Sequence, residues 1–320
     1  MYNRKKIALY NPQISSLNIG DHIIFDGVYT QLDGLVDKSF VVEIPTHLPI
    51  SRYLRHIKNS DYRFICGSNL LRGKMNRIFR QWDINIFNSK LVGPAVLIGA
   101  GWWQYGDEPN FYTKKLYQKV LSKKFYHSVR DSYTENQMKK MGFENVINTG
   151  CPTMWDLTRA HCLDIPKEKA QDVVCTITDY NGNIEKDRLL FEILLKNYNN
   201  VYLWIQGYND YEYFTKLGID EKKIKIVAPN LKEYDLILEK DIDYIGTRLH
   251  GGIRALQKKK RTIIISIDNR AIEKQKDFNL TCILRENIEE LEKMINCSFS
   301  TEINIPIENI NKWKQQFGLK

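Results

Sequence analysis

The chain has 320 residues, of which 43% are hydrophobic and 27% charged, with a formal net charge of +9 and a pI near 9.0. This length allows two domains that each have a core, and the composition is typical of a globular protein. No apolar run approaches the roughly 18 residues that cross a bilayer, and the first residues lack the apolar core of a signal peptide. We therefore expect a cytoplasmic protein.

The predicted elements of the first half alternate between strands and helices, which is typical of an α/β protein with mostly parallel sheets. The predicted helix at 132–140 can be capped by Asp131 or Ser132, with Glu135 three residues after the serine, and a glycine follows its end. Strands are predicted near residues 7–10, 40–42, 63–66, 95–98, 125–128 and 146–148. Helices are predicted near 21–32, 113–121 and 132–140.

The second half restarts this alternation after an irregular, polar stretch at 153–169. Strands are predicted near 173–177, 201–205, 224–227, 244–246, 262–267 and 281–284. Helices are predicted near 184–196, 231–239, 252–257, 288–296 and 307–317. The pattern predicts an N-terminal domain at 1–155, a C-terminal domain at 165–305 and a closing helix at 306–320. Two such halves facing each other would bind ligands in the cleft at the carboxyl ends of their strands.

The cysteines form no C-x-x-C pair and show no zinc-ligand spacing. A free cysteine in an apolar, strand-like run behaves as a small hydrophobic residue. We expect buried, reduced thiols in a reducing compartment and no metal site. The six are Cys66, Cys151, Cys162, Cys175, Cys282 and Cys297.

Positive charge is concentrated in clusters around Lys119, Lys123 and Lys124, at 258–261, and at 72–80. One interpretation is a set of solvated faces. The others are attraction to an anionic membrane surface or to an anionic substrate, with nucleic acid third because no nucleic-acid-binding motif accompanies the charge.

The segment 244–252 predicts a short apolar strand that ends in a small-residue turn and opens directly into a helix. Arg248 supplies a planar fork for phosphate or carboxylate, and His250 can transfer a proton near neutral pH. The N–H groups of Gly251 and Gly252 lie at a helix N-terminus, which favours anions. A domain-bridging ion pair for Arg248 and a core position for His250 are the alternatives. The coincidence of these features predicts an enzyme site.

Three other strand ends carry polar or glycine residues. Asp21, before the first helix, is either part of a helix cap or a carboxylate that acts as a base or holds a sugar hydroxyl. Glycine turns follow strands at 67 and 99–101, and the second leads to Trp103 and Tyr105, whose aromatic faces suit sugar rings or a core. Arg130 precedes a helix, where it pairs locally with its neighbour or binds an anion.

The phosphate-binding loop, the serine nucleophile elbow and the zinc helix that mark other enzyme classes are absent from the sequence.

In order along the chain, several pieces resemble the polysaccharide pyruvyl transferase family. The glycine turns are the least specific pieces and the arginine-x-histidine piece is the most specific. The pieces are Asn-Ile-Gly-Asp at 18–21, the glycine turns, Ser-Val-Arg-Asp at 128–131, Asn-Thr-Gly-Cys-Pro at 148–152, Gly-Thr-Arg-Leu-His at 246–250, and the strand and basic residue at 263–271.

This resemblance implies a glycosyltransferase-B-like pair of Rossmann-like domains that uses phosphoenolpyruvate as donor and needs no cofactor. Arg248 and Arg130 would hold the donor's phosphate and carboxylate, close to the Leu249 and Gly251 backbone, and His250 would be the general acid. Arg270 would add donor-binding charge, although the family often has lysine there.

The acceptor implied by the resemblance is a saccharide or lipid-linked saccharide, modified as a ketal in cell-surface polysaccharide biosynthesis. We expect Asn18, Trp103 and Tyr105 on the acceptor side, and Asp21 as the base. The basic surface motivates a peripheral contact with the inner face of the membrane. Nucleic acid is not expected as a partner. The alternatives are a nucleotide-sugar-dependent glycosyltransferase of the same fold and a non-catalytic relative.

Overall fold

The computed structural model describes residues 4–49, 57, 59–78 and 80–319. Contacts divide the chain into two units. Unit 1 comprises Met1–Ser16, Ile24–Trp155 and Ile305–Lys320, and unit 2 comprises Leu17–Ile23 and Asp156–Asn304. The closing helix, for which the sequence predicted a segment of its own, is grouped with unit 1.

Unit 1 is built on a four-stranded parallel sheet in the order β2-β1-β3-β4, beside a parallel pair β5-β6. Side chains of β5 continue the sheet, because the backbone N–H groups of Leu97 and Gly99 donate to His127 and Ser128. The strands are β1 (Lys6–Asn11), β2 (Phe40–Pro45), β3 (Tyr62–Cys66), β4 (Val96–Ile98), β5 (His127–Val129) and β6 (Val146–Asn148).

Both faces of this sheet are buried along β1, β3 and β4, which explains why these strands are mostly apolar, whereas β2 is largely exposed or half-buried. Along β1, Ile7 and Leu9 pack into one cluster, and Ala8 and Tyr10 pack into another. The first cluster also contains Trp313 of the closing helix. The helices of unit 1 are α2 (Asp33–Val36), α3 (Ser89–Val92), α4 (Phe111–Val120), α5 (Ser132–Lys140) and α13 (Ile307–Gln315), while α1 (Ile19–Gln31) begins in the segment assigned to unit 2.

Unit 2 contains a six-stranded parallel sheet in the order β12-β11-β10-β7-β8-β9. Its first strand is central, the next two lie on one side and the last three on the other, which is the Rossmann order. The chain changes direction between β7 and β10, and ligands of such sheets bind beyond the carboxyl ends of the strands at this switch point. The strands are β7 (Asp172–Thr176), β8 (Asn200–Trp204), β9 (Ile224–Val227), β10 (Ile242–Gly246), β11 (Thr262–Ser266) and β12 (Cys282–Leu284).

Helix α10 shows how the sheet of unit 2 is covered. Leu249, Ile253 and Leu256 recur at helical spacing and are buried. A methyl group at Gly252 would lie 2.8 Å from Tyr244, so glycine lets this helix approach the sheet closely. The helices of unit 2 are α6 (Arg159–Leu163), α7 (Ile184–Asn197), α8 (Asp210–Thr215), α9 (Leu231–Ile237), α10 (Leu249–Gln257), α11 (Asn269–Phe278) and α12 (Leu291–Asn296).

The predicted α/β class with two Rossmann-like domains is confirmed by these sheets. The expectation of one helix at 288–296 was wrong at its start, because the chain forms a 3₁₀ helix over Arg285–Glu290 before α12. Helices α2, α3, α6, α8 and α11 were not predicted. Five of the six cysteines are buried, as expected, whereas Cys297 is exposed, so the expectation was wrong for that residue. Within the described residues, no helix is long and apolar enough to cross a membrane.

Candidate functional site

The turn between β10 and α10 lies at the switch point of the unit 2 sheet. Backbone N–H groups of Thr247 and Arg248 donate to the carbonyl and hydroxyl oxygens of Thr176, at 2.9 and 3.2 Å. The hydroxyls of Thr178 and Thr247 are 2.8 Å apart. A methyl group at Gly246 would overlap Thr176. The turn is therefore fixed against the end of β7, and its glycine permits this approach.

Helix α10 begins without a side-chain cap. Arg248 occupies the N-cap position, makes no capping hydrogen bond, and accepts the first helical bond from Gly252 at 3.2 Å. Among the residues that the structure describes, no acceptor faces the backbone N–H of Leu249 or Gly251. Helices α7, α9 and α11 differ, since asparagine or aspartate caps each of them. Open N–H groups and the helix dipole make the α10 N-terminus suitable for an anion.

The guanidinium of Arg248 lies in a buried ion-pair network inside unit 2. Its Nε donates to the Ile177 carbonyl and to Asp210, at 3.2 and 3.1 Å. Its Nη2 donates to Asp179 at 3.1 Å and also to Asp210. Arg248 is 4% exposed and Asp210 is fully buried. Of its five N–H groups, the two on Nη1 have no acceptor in the described part of the chain.

Burial and charge act in opposite directions on this pair. Burial lowers the pKa of Arg248, but Asp210, Tyr180 and Asp179 more than offset this, so its pKa lies above the ordinary value. Burial raises the pKa of Asp210 despite the neighbouring guanidinium. The arginine therefore stays charged, and its carboxylate partners balance that charge.

Gly207 and Tyr180 enclose the guanidinium of Arg248. A methyl group at Gly207 would overlap Nη2, so only glycine fits at this position after β8. The Tyr180 ring centroid lies 5.0 Å from Cζ of Arg248 and 5.5 Å from Cζ of Arg270. Tyr180 thus links the two arginines that the sequence predicted as donor-binding residues.

Arg270 lies in the first turn of α11. Its backbone N–H and its Nε donate to Asp268, at 2.9 and 2.8 Å, and its Nη2 donates to Tyr180 and Asp268. Burial lowers the pKa of Arg270, but Tyr180 and Asp268 raise it by more than burial lowers it. The pKa of Arg270 therefore lies well above its ordinary value. Arg270 is a fixed cation in the same unit as Arg248.

The segment that precedes α1 is hydrogen-bonded to the loop after β8. Oδ1 of Asn18 accepts from the Gly20 N–H at 3.1 Å and from Nε2 of Gln206 at 3.0 Å. The Ile19 N–H donates to the Gln206 carbonyl at 2.9 Å. Asn18, not Asp21, therefore supplies this cap-like bond, and the segment that holds Asp21 belongs to unit 2.

Gln206 is a polar residue that the sequence interpretation missed. Because Oδ1 of Asn18 is an acceptor for Gly20, the amide nitrogen of Gln206 must face it, which orients Oε1 in the opposite direction. Gln206 is 4% exposed, and Oε1 has no hydrogen-bond partner among the described residues. A methyl group at Gly251 would lie 3.2 Å from Oε1. An acceptor is thus fixed beside the first turn of α10, where it suits a ligand hydroxyl.

In unit 1, Arg130 also lies where a strand meets a helix, but its surroundings differ. Its Nε donates to Asp131 at 2.9 Å, its Nη2 to the Trp102 carbonyl at 3.0 Å, and its Nη1 to Asn69. A methyl group at Gly101 would overlap the guanidinium. Arg130 therefore joins three strand-end turns of unit 1, and it keeps two N–H groups without an acceptor in the described ranges.

Trp103 and Tyr105 follow the glycine turn of unit 1. The Trp103 ring lies 4.4 Å from Cζ of Arg72, and the Tyr105 ring makes an edge contact with Tyr133 at 4.8 Å between centroids. Tyr105 is exposed. Both aromatic side chains are thus held at the surface of unit 1 near the carboxyl ends of its strands.

The predicted site residues divide between the units. Unit 1 contains Arg130, Trp103 and Tyr105; unit 2 contains Asn18, Asp21, Arg248, Leu249, His250, Gly251 and Arg270. His250 is the second residue of α10 and is buried. Gln206, Tyr180 and Asp210 were missed. For Gln206, the signal was present, since a polar residue and a glycine follow a predicted strand.

The two Rossmann-like parallel sheets with alternating helices define an α/β protein of the GT-B-like class. A sequence model of the polysaccharide pyruvyl transferase family matches residues 18–269. The chain belongs to this family of transferases. The match includes Asp21, Arg130, Arg248 and His250 and ends one residue before Arg270.

Solved structures support the fold. UDP-GlcNAc 2-epimerase of Methanocaldococcus jannaschii, in complex with UDP-GlcNAc and UDP, aligns with a TM-score of 0.57 at 16% identity, covering 97% of each chain. The S. aureus MnaA–UDP structure aligns with a TM-score of 0.51 at 10% identity, covering 92% of each chain. At these identities the likeness shows the fold alone. Comparison with curated proteins gives no significant match.

Proposed function

We propose that this chain transfers pyruvate from phosphoenolpyruvate to hydroxyls of a saccharide or lipid-linked saccharide and forms a ketal in cell-surface polysaccharide biosynthesis. The observation that carries the proposal is the α10 N-terminus. It is open, it lies at the switch point of the sheet, and it begins with Arg248 and His250. Family membership supplies the reaction class.

The donor is a small, multiply charged anion, so it needs several donors and cations. The N–H groups of Leu249 and Gly251, with the helix dipole, bind one anionic group. Nη1 of Arg248 is the part of that side chain left for the donor, because Nε and Nη2 are bonded to protein acceptors. Arg270 and Arg130 add positive charge. Asp210 and Asp179 balance the charge of Arg248. The backbone N–H groups therefore contribute more to donor binding than the sequence suggested.

His250 is the proposed general acid. It gives a proton to the methylene carbon of phosphoenolpyruvate, which makes the central carbon electrophilic. A sugar hydroxyl attacks that carbon and loses its proton to a base, for which Asp21 is the proposed residue. A second hydroxyl then attacks the same carbon as the carbon–oxygen bond to phosphate breaks, and its proton goes to the leaving phosphate. Inorganic phosphate departs and the ketal is closed; the proton held by Asp21 balances the one that His250 gave to the methylene carbon. No oxidant, reductant or metal enters this balance.

The acceptor is proposed to contact Asn18, Trp103 and Tyr105. Aromatic rings such as Trp103 and Tyr105 present apolar faces that suit the C–H faces of a sugar. The Asn18 oxygen accepts from Gly20 and Gln206, which fixes this side chain at the start of α1.

The test is a screen for phosphate release that depends on phosphoenolpyruvate, against a panel of saccharides and lipid-linked saccharides. A placed general acid is worth about 10²–10⁴ in rate, so His250→Gln should lower the rate by that factor. The control is His161→Gln, since His161 bonds the Leu256 carbonyl and an amide can do the same. If His250→Gln has a rate near that of the wild type, His250 is not the general acid.

Donor binding is tested separately by calorimetry. Arg248→Ala should weaken phosphoenolpyruvate binding, while unchanged binding would exclude Arg248 from the donor site. Thermal stabilisation by nucleotide-sugars, without stabilisation by phosphoenolpyruvate, would favour the nucleotide-sugar glycosyltransferase instead. Binding of the donor without turnover on any acceptor would favour a non-catalytic relative.

A further inference from the structure

The positive charge of this chain is concentrated in two stretches of unit 1. Residues 74–92 contain four cationic side chains and one acidic side chain, and residues 111–124 contain five cationic side chains and no acidic one. Together they carry a net charge of eight, against +9 for the whole chain. The remaining residues are therefore close to neutral overall. The net positive charge of the chain is concentrated in these two stretches and is not spread over the whole surface.

Contacts within unit 1 join these two stretches. Helix α3 packs against α4, and a methyl group at Gly93 would lie 2.6 Å from the Val120 carbonyl. The Asn110 side chain donates to Asn76 at 2.7 Å. The Ile86 N–H donates to the Tyr112 hydroxyl at 3.3 Å. Both stretches thus belong to one part of the unit 1 surface.

Large apolar side chains are exposed in the same region. Ile78 is 101% exposed, Phe87 is 91% exposed and Phe111 is 71% exposed, and Leu91 is also exposed. Ile78 and Phe87 have the highest exposed fractions among the large hydrophobic residues that the structure describes. We call this region the basic apolar surface. Its exposed cationic and large apolar residues are Arg77, Ile78, Phe87, Lys90, Leu91, Phe111, Lys114, Lys115, Lys119, Lys123 and Lys124.

The basic cluster at 258–261 differs from this surface, because two of its cationic side chains are paired with carboxylates. Lys259 pairs with Asp164 at 2.7 Å, and Arg261 is buried in a pair with Asp243 at 2.9 Å. On the basic apolar surface, the one acidic residue of 74–92, Asp83, pairs with Arg80. No ion pair is described for Lys114 or Lys115; Lys115 lies over the Phe111 ring at 4.5 Å. The charge there faces outward.

We propose that the basic apolar surface binds the anionic face of a lipid bilayer. Cations near an anionic membrane each contribute to binding, and exposed apolar side chains enter the boundary between headgroups and acyl chains. Ile78, Phe87 and Phe111 supply the apolar part, and the surrounding lysines and arginines supply the charge. Duplex nucleic acid would use the charge and would leave fully exposed isoleucine and phenylalanine side chains without a role. The proposal stands apart from the proposed function, since no site residue belongs to this surface.

The test is sedimentation of the full chain with vesicles of phosphatidylcholine alone and with vesicles of equal parts phosphatidylcholine and phosphatidylglycerol. The chain should bind the anionic vesicles, and binding should fall as salt rises, because salt screens exposed charges. Lys114→Gln with Lys115→Gln should weaken binding by roughly fivefold per lysine. Phe87→Ser with Phe111→Ser should weaken it by roughly tenfold per ring.

The matched controls lie in unit 2, where Leu163 is exposed and Lys222 and Lys223 form an exposed pair. Leu163→Ser and the double change Lys222→Gln with Lys223→Gln should leave vesicle binding at the wild-type level. All of these substitutions are at exposed positions, so the thermal midpoint should stay near wild type. Absence of wild-type binding to anionic vesicles, equal losses in the control variants, or displacement of the chain from the vesicles by duplex DNA at equal charge would overturn the proposal.

Discussion

Two turns of this protein have the same order of elements: a strand, an arginine, then a helix. In unit 1, Arg130 is followed by Asp131, whose carboxylate accepts from the Thr134 N–H at 2.7 Å and caps α5. In unit 2, Arg248 is itself the N-cap residue of α10 and makes no capping bond. The first turn is closed by its own side chains, and the second leaves its helix donors open.

This difference shows that an arginine at a strand end does not by itself indicate an anion site. Arg130 and Arg248 are both buried and both bonded to carboxylates. What separates them is the presence of a capping aspartate next in sequence. The partner of Arg248, Asp210, comes from a different strand connection, so α10 keeps its N–H groups for a ligand.

The largest expected effect comes from a substitution that disrupts the unit 2 turn. Asp210→Ala should destabilise the protein by about 3–5 kcal/mol, because it leaves the buried Arg248 charge without its main partner. Asp179→Ala should cost about 1 kcal/mol or less, because Asp179 is partly exposed. The measurement is the free energy of unfolding in urea. Equal losses for the two variants would contradict the assignment of Asp210 as the main partner.

The next effect concerns β5, the strand that leads to Arg130. His127 is fully buried; its Nδ1 accepts from the Leu97 N–H, so its Nε2 must carry a proton toward the Ser122 carbonyl. Burial lowers the pKa of His127 to about 4. Below pH 6.5 the unfolded chain binds a proton that the folded chain does not, so stability is complete above pH 6.5 and falls as the pH approaches 4.

For a fully buried histidine, the free energy of unfolding is lower by about 3 kcal/mol at pH 4 than at pH 7. Urea unfolding at several pH values should show it, and His127→Gln should lose that part of the pH dependence even if it is less stable throughout. A slope that is the same in His127→Gln as in the wild type would show that His127 does not resist protonation.

The smallest effect sharpens the contrast between the two helices. Asp131→Ala removes the α5 cap and a partner of Arg130, and should cost about 2 kcal/mol. Asn183→Ala removes only the cap of α7 and should cost about 1 kcal/mol. Thermal unfolding of both variants checks the order. A smaller loss for Asp131→Ala than for Asn183→Ala would mean that the unit 1 turn does not depend on its aspartate.

Local sequence was sufficient to predict most strands and helices and the two strand-to-helix turns at Arg130 and Arg248. The strand and helix around 244–257 follow from apolar spacing, and the start of α5 follows from its capping residues. The pairing of Arg248 with Asp210 and Asp179 could not be predicted in the same way, because these partners lie 38 and 69 residues away and meet only through strand order. Tyr180 was missed for the same reason. Helix α11 was missed although Asp268 caps its start, and Ala271 and Phe278 recur at helical spacing and are buried.

The most direct measurement of the central claim is an NMR titration of phosphoenolpyruvate into the isotope-labelled chain, following backbone amides at the starts of the two helices. The open α10 N-terminus predicts saturable shifts at Leu249 and Gly251, with little change at Ser132 and Thr134 in the capped α5. The same titration with Arg248→Ala should need more donor for half-saturation. Saturable binding that shifts Ser132 and Thr134 but leaves Leu249 and Gly251 unchanged would contradict the account.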